Sequence, residues 1–198
     1  MDERSLLRRQ MRASRRALSA ARQRTAAAEV AHRVATSRPF RSARSIAFYL
    51  PADGEIDPRP LLELAAALGR RTLLPVLAPL GHGQLWFRPW RPGEPLRANR
   101  FGIPEPTTRQ RLPATAIDLV LLPLVAFDRY GNRLGMGGGF YDRSFAFLRR
   151  RQHWHHPTLI GLAHEIQRVE RLPSAAWDVP LDAIVSDAGW YHGGGRRR

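Results

Sequence analysis

The chain of 198 residues has no cysteine, which excludes disulfides, thiolate-bound zinc and iron–sulfur clusters, and nothing in it argues for secretion. It has no lysine either, since all 32 basic residues are arginine. That absence removes the phosphate-binding lysine of a P-loop, a lysine Schiff base and a Ser–Lys dyad. Any phosphate must be held by arginine, backbone amides or a metal. No stretch reaches the roughly 18 apolar residues of a membrane span. The opening MDERSLLRRQMRASRRALSAARQR carries charge throughout and has no apolar core of signal-peptide length. These features read as a soluble, cytoplasmic protein without a membrane partner. Acidic residues number only 17, so the net charge is +15. Such a balance invites binding to nucleic acid, because clustered cations release counterions from a polyphosphate. A basic set made wholly of arginine is better explained by codon bias toward Arg and Ala, so nucleic acid is not the expected partner.

With 43% hydrophobic residues the chain can bury one good core, and a single domain over residues 1–192 is expected, ahead of a disordered Gly/Arg tail at 193–198. A monomer is the expected state. Leu7, Met11 and Leu18 recur at helical spacing over 4–20, with Arg4, Arg8, Arg12 and Arg15 as a second row. An Ala-rich helix over 21–36 follows. SIAFYL at 45–50 has the length of a buried strand, and Asp57-Pro58 supplies an N-cap and a first-turn proline for a helix through 68. Strands are predicted at 72–76, 85–88, 117–122, 125–128, 159–163 and 183–186, and a helix over 138–149. Residues 89–113 are too rich in Pro, Gly and Arg for regular structure. Strands alternating with helices predict a three-layer α/β sandwich with a largely parallel central sheet, Rossmann-like and of the NagB/RpiA/CoA-transferase-like kind. In such sheets ligands collect beyond the carboxyl ends of the strands.

The segment FDRYGNRLGMGGGFYDRSFAFL, 127–148, holds the densest chemistry. Gly135, Gly137, Gly138 and Gly139 lie between a predicted strand and helix, where unpaired amides and the helix dipole make an anion site. Arg133 and Arg143 could clamp phosphate oxygens, and Asp142 could bind the magnesium ion that accompanies nucleotide phosphates. Neither common glycine motif fits: a dinucleotide fingerprint would need Gly at Phe140, and the P-loop needs lysine.

The stretch GNRLGMGGGFYDR, 131–143, resembles the signature of the 5-formyltetrahydrofolate cyclo-ligase family, R-L-G-x-G-x-G-aromatic-Tyr-Asp. Further agreement comes from the basic N-terminal helix ending Ala17-Leu18-Ser19, FYLPADGEID at 48–57, FGIPEP at 101–106, GLAHEIQ at 161–167 and WDVPLDAIVSD at 177–187. These segments lie in the family's order and span nearly the whole chain.

The resemblance implies an enzyme that uses MgATP to convert 5-formyltetrahydrofolate into 5,10-methenyltetrahydrofolate, releasing ADP and phosphate. It implies that Arg133, Leu134, Gly135, Met136, Gly137, Gly138, Gly139, Phe140 and Tyr141 cradle the ATP phosphates, with Met136 to Phe140 also bordering the folate. Asp142 and Asp182 match family metal positions. Arg4 and Arg8 match nucleotide-contacting residues, with Arg4 in place of the usual lysine. Glu55 matches the folate-binding glutamate, with Leu50 lining the same pocket. A carboxylate suits the donor-rich edge of a pterin. Asp57 is more simply a helix cap, Asp53 a turn residue, and Phe101 either stacks on the pterin or packs in the core. His153, His155 and His156 lack metal-ligand spacing and read as a polar loop, while His164 and Glu165 line the site or serve the structure. Two other readings stay open: a basic nucleic-acid-binding protein and an inactive folate-binding relative.

Overall fold

The computed structural model describes residues 2–78, 83–150, 156–172, 175 and 177–193. Helix α1 (Glu3–Arg16) is capped by Asp2, whose carboxylate accepts the Arg4 N–H. It stops short of the predicted end because Ser19 is already capping α2 (Ala20–Ala35) through the Arg22 N–H. A short α3 (Arg38–Ser42), which the sequence pattern missed, leads into β1 (Ser45–Ala47). Then come α4 (Arg59–Ala67), β2 (Arg71–Leu77) and β3 (Leu85–Pro89). Asp57 Oδ1 accepts the Arg59 N–H at 2.9 Å, so it satisfies the start of α4 from just outside the helix.

The region read as irregular holds a two-stranded ribbon, β4 (Leu96–Ala98) against β5 (Pro104–Pro106). Side chains make it possible despite two prolines: Asn99 Oδ1 accepts the Phe101 and Ile103 N–H groups across the turn, and Glu105 Oε1 accepts the Leu77 N–H at 2.8 Å, tying the ribbon to β2. Next are β6 (Leu119–Pro123), the hairpin β7 (Ala126–Phe127) with β8 (Arg133–Leu134), and α5 (Phe140–Ser144). The helix predicted over 138–149 shrinks to α5 and a 3-10 turn at Ala146–Arg150. Aromatic packing dominates there, with Phe145 buried against Phe87 at 5.7 Å between ring centres. The chain ends with β9 (Thr158–Leu162), β10 (Ala183–Val185) and β11 (Trp190–His192), the last of them unforeseen.

Seven strands form one sheet in the order β11-β10-β9-β6-β1-β2-β3. The central five are parallel, and both edges, β3 and β11, run antiparallel. Strands covered on both faces read as continuous apolar runs, which is why Leu119–Leu122 showed so plainly in the sequence. On one face Val30, Val34, Leu61, Leu62 and Ala65 pack against Ile46, Leu119, Leu121 and Ile160. On the other, Phe87, Phe127, Phe145, Val179 and Leu181 cover Ala47, Val120, Leu122 and Ile184. The second covering layer is thus mostly hairpin, short helix and extended chain rather than long helices. Gly161 in β9 lets this layer close: a Cβ there would lie 2.7 Å from Leu124 Cδ2 and 2.8 Å from Leu181 Cδ1. Gly161→Ala is expected to cost roughly 1–3 kcal/mol, read as a lowered denaturation midpoint at unchanged m-value.

The parallel strands run spatially as β2-β1-β6-β9-β10, so the winding direction reverses between β1 and β6. Ligand crevices form at the carboxyl ends flanking such a reversal. α1 crosses this end of the sheet, with Met11 and Leu7 packed on Val125, Ala126, Leu134 and Leu172. Among the described residues no helix is long and apolar enough to cross a membrane. Of the expected tail, Gly193 donates its N–H to the Asp182 carbonyl, and residues 194–198 lie outside the described residues, as do His153 and His155.

Candidate functional site

The glycine loop joins β8 to α5 at the carboxyl end of the sheet. Gly137 and Gly139 take φ values of 99° and 62°, a region in which a side chain is strained. At Gly139 a Cβ would also lie 2.7 Å from Arg143 Nη1, so the arginine would have to shift. Arg143 Nε donates to the Gly83 carbonyl at 3.0 Å and its Nη2 to that of Gly138, so Arg143 staples the loop's shape. Arg8 Nε donates to the Gly135 carbonyl at 2.8 Å, and its guanidinium lies beside Gly137. α5 spans five residues, too short for much of a dipole, so the groups that could meet an anion here are loop amides and arginines. Leu134 is buried in the core and its carbonyl accepts the Val125 N–H, while Met136 stands 53% exposed at the rim.

Arg133 is nearly buried. Its Nη2 pairs with Asp142 Oδ1 at 2.8 Å and its Nη1 donates to the Val179 carbonyl at 2.8 Å. Asp142 Oδ1 also accepts the Val179 N–H at 3.0 Å, so one carboxylate oxygen orients the group. Asp182 stands at the opposite, amino edge of the sheet, before β10, where its Oδ2 accepts the Leu159 N–H at 2.7 Å. These are the contacts of a strand-edge residue. Among the described residues no group of three His, Asp or Glu could hold a metal unaided. Arg4 pairs with Asp178 at 3.3 Å and keeps a buried Nε–H without a hydrogen-bond partner among the described residues.

Opposite the loop, β1 runs out through Leu50, which packs at the edge of the first core cluster, into the turn Ala52–Glu55. Glu55 Oε2 accepts the Ala52 N–H at 3.1 Å, and Oε1 lies 3.5 Å from Arg15 Nη2. Burial pushes the Glu55 carboxyl above its ordinary range, against the pull of Arg15. Burial likewise raises the Tyr141 hydroxyl, with the nearby Glu55 adding to the rise and the nearby Arg133 opposing it. The glycine loop and the Glu55 turn both border the crevice expected at the winding reversal, tied there by α1 through Arg8 and Arg15. Phe101 is exposed at 58% and meets Phe140 edge-on with ring centres 6.4 Å apart, so it belongs to the rim of this crevice and not to the core.

Two other residues take structural parts. His164 is buried and its Nε2 lies 3.1 Å from the Gly54 carbonyl, with burial lowering its pKa, so the neutral ring donates to that carbonyl. Glu165 accepts from Ser186, Tyr191 and Arg168. The residue that sequence reasoning undervalued is Arg15, which is fully buried and donates to the Asp53 carbonyl, the Leu124 carbonyl and the Asp53 carboxylate. It bridges the ends of β1 and β6 at the reversal of winding. The signal was its place in the Arg4, Arg8, Arg12, Arg15 row. That row is turned inward onto Asp178, Gly135 and Asp53 and is no solvated face for a polyanion.

The sequence profile of the 5-formyltetrahydrofolate cyclo-ligase family matches residues 1–187. The chain is 43% identical over 180 residues to the 5-formyltetrahydrofolate cyclo-ligase of Escherichia coli K12, covering 89% of this chain and 96% of that one. It is 39% identical over 188 residues to the Haemophilus influenzae protein of the same name, covering 93% and 97%. Among solved structures, the 5,10-methenyltetrahydrofolate synthetase of Aquifex aeolicus superposes with a TM-score of 0.81 at 30% identity, over 98% of this chain and 95% of the other. That of Mycoplasma pneumoniae gives 0.73 at 25%, over 94% and 99%. With profile, sequence and fold agreeing from α1 to β10, the chain belongs to the 5-formyltetrahydrofolate cyclo-ligase family.

Proposed function

We propose that this enzyme converts 5-formyltetrahydrofolate and ATP into 5,10-methenyltetrahydrofolate, ADP and phosphate in the cytoplasm. The observation that carries the reading is that one face of α1 joins a glycine–arginine loop, through Arg8, to the turn of a nearly buried carboxylate, Glu55, through Arg15. A formyl amide is a poor electrophile with a poor leaving oxygen. Its oxygen attacks the terminal phosphorus of ATP, the amine at position 10 closes onto the activated carbon, and phosphate departs. Phosphoryl transfer asks the protein for positioning and charge neutralisation rather than a nucleophile. The amides of Gly135 to Phe140 and the guanidinium groups of Arg4, Arg8 and Arg133 supply that, with Tyr141 closing the floor.

Magnesium usually binds through one or two carboxylates plus phosphate oxygens, and Asp142, with Oδ1 already fixed by Arg133 and Val179, fits such a position. There the ion would neutralise phosphate charge. For Asp182 the family motif supports a metal role, while its contacts are those of a sheet edge.

Glu55 would accept the paired N–H donors of the pterin, with Leu50, Met136 and Phe140 about the ring. Purified protein with MgATP and 5-formyltetrahydrofolate should yield product absorbing in the near ultraviolet, with stoichiometric phosphate; neither appearing would end the proposal. Glu55→Gln is expected to raise the folate KM roughly 10- to 100-fold with kcat little changed, since hydrogen bonds to a charged acceptor contribute about 1.5–3 kcal/mol. Only the ionised carboxylate accepts both donors. Wild-type folate affinity should weaken as pH falls through a Glu55 pKa raised above the ordinary 4.5, a loss that Glu55→Gln would not show. For stability the sign is opposite: the contribution of a raised carboxyl is full below its unfolded pKa and lost as pH rises through the folded one. A KM unmoved in Glu55→Gln would take the residue out of the folate pocket.

A further inference from the structure

Three arginines of α1 converge on one carboxylate. Asp53 Oδ2 lies 2.6 Å from Arg12 Nε and 3.0 Å from Arg15 Nη2, and Oδ1 lies 3.3 Å from Arg16 Nη1. Burial pushes the Asp53 carboxyl up, but hydrogen bonds and charge from Arg12 and Arg15 outweigh this and hold it below its ordinary range. Asp53 is also the only described non-glycine residue with positive φ, at 53°, and Gly54 follows at 74°. The Glu55 N–H donates to the Ala52 carbonyl at 3.0 Å, which makes Asp53-Gly54 the centre of a tight type I′ turn. The turn sits directly on the end of α1, since a Cβ on Gly54 would lie 3.2 Å from the Arg15 carbonyl oxygen. The next residue is Glu55, held from the same helix by Arg15.

The other half of α1 is tied to the nucleotide side, through Arg8 to the Gly135 carbonyl and Arg4 to Asp178. A helix of this length spans about 20 Å as a stiff rod. One face of it, through Arg4, Arg8, Arg12 and Arg15, thus touches both walls of the crevice. A displacement of the glycine loop that pulls on Arg8 is passed along the helix to the guanidinium cluster at the far end, where Asp53 makes the shortest contacts to the turn and the Arg15–Glu55 pair, at 3.5 Å, a longer one.

We propose that Asp53 is a positioning residue that couples the two substrate sites, transmitting occupancy of the glycine loop along α1 to the Glu55 turn. The proposal rests on the assignment of ATP to the loop and folate to Glu55. Coupling between two sites is a free energy and is reciprocal, so each ligand must tighten the other by the same factor. The contacts do not pass through either ligand, so the variants remove the linkage and not the binding groups.

The test measures the dissociation constant of 5-formyltetrahydrofolate with and without a saturating non-hydrolysable ATP analogue and magnesium, and the converse. Asp53→Gly relieves the positive φ and deletes the carboxylate, and Asp53→Asn keeps a residue that tolerates this backbone but removes the charge. In the wild type the analogue is expected to tighten folate about tenfold, with the same factor in the converse titration. In Asp53→Gly the factor should fall to within about twofold of one, with Asp53→Asn between the two. The double variant Arg12→Gln, Arg16→Gln, which leaves the turn sequence and the Arg15 contact intact, should lower the factor part of the way and covers the case of an Asp53 variant that does not fold. A merely structural Asp53 would lower melting temperature and leave the factor alone. A wild-type factor of one, or a variant that keeps the wild-type factor, overturns the coupling. Absence of methenyl product from the wild type would instead overturn the assignment of function.

Discussion

Arg133→Ala is expected to lower turnover of 5-formyltetrahydrofolate about 10³-fold, the scale set by an arginine that stabilises charge in phosphoryl transfer. Two features make this side chain more than a local charge. It is nearly buried, so its field toward a phosphate is little screened, and it fixes Asp142 and the Val179 carbonyl at once. The alanine variant loses two charged contacts, to Asp142 and to the Val179 carbonyl, each costing on the order of 1–3 kcal/mol, so it should fold with a lowered melting temperature. Arg133→Lys retains the charge but cannot reproduce a planar fork spanning Asp142 and Val179, so it should recover little of the rate. Single-turnover kinetics separates the effect from binding. A turnover within about tenfold of wild type in Arg133→Ala would remove the residue from charge stabilisation.

Asp142→Asn should be nearly as damaging, with kcat reduced roughly 10²- to 10³-fold and a raised magnesium requirement. The amide retains an oxygen for Arg133 and for the Val179 N–H, so the packing of α5 against Val179 survives and the change isolates charge. Magnesium titrations at fixed ATP distinguish an ion ligand from a simple anchor of Arg133. An anchor alone would lower kcat with the magnesium dependence unmoved, and that result would reassign Asp142. The parallel variant Asp182→Asn tests whether the amino-edge carboxylate, whose Oδ2 accepts the Leu159 N–H, takes any part in ion binding.

Much of this was legible along the chain. The buried strands at Leu119–Pro123 and Thr158–Leu162 announced themselves as uninterrupted apolar runs, because a parallel strand covered on both faces has no polar alternation. The glycine loop showed through composition, and the missing lysine narrowed the groups that could hold a phosphate to arginine, backbone amide or a metal. What stayed hidden has one physical character. The ribbon of β4 and β5 depends on Glu105, which takes the Asn99 side-chain amide and reaches the Leu77 N–H 28 residues away, β11 is an edge strand of three residues, and the helix after the loop gives way to aromatic packing against Phe87. Local propensity does not register such long-range partners.

The sequence by itself determined the parallel α/β class and the family, and it put forward residues 133–142 as a phosphate loop, since periodicity, glycine spacing and residue order are properties of the chain. Only the tertiary structure decided what the arginines do. Arg4, Arg8, Arg12 and Arg15 share a helix face in the sequence and could equally have met solvent. Folding turns them onto Asp178, Gly135 and Asp53 because α1 crosses the carboxyl end of the sheet, where Asp53 and Leu124 emerge from neighbouring strands. A buried guanidinium requires acceptors on every side, and Arg15 finds them only after β1 and β6 have been brought together.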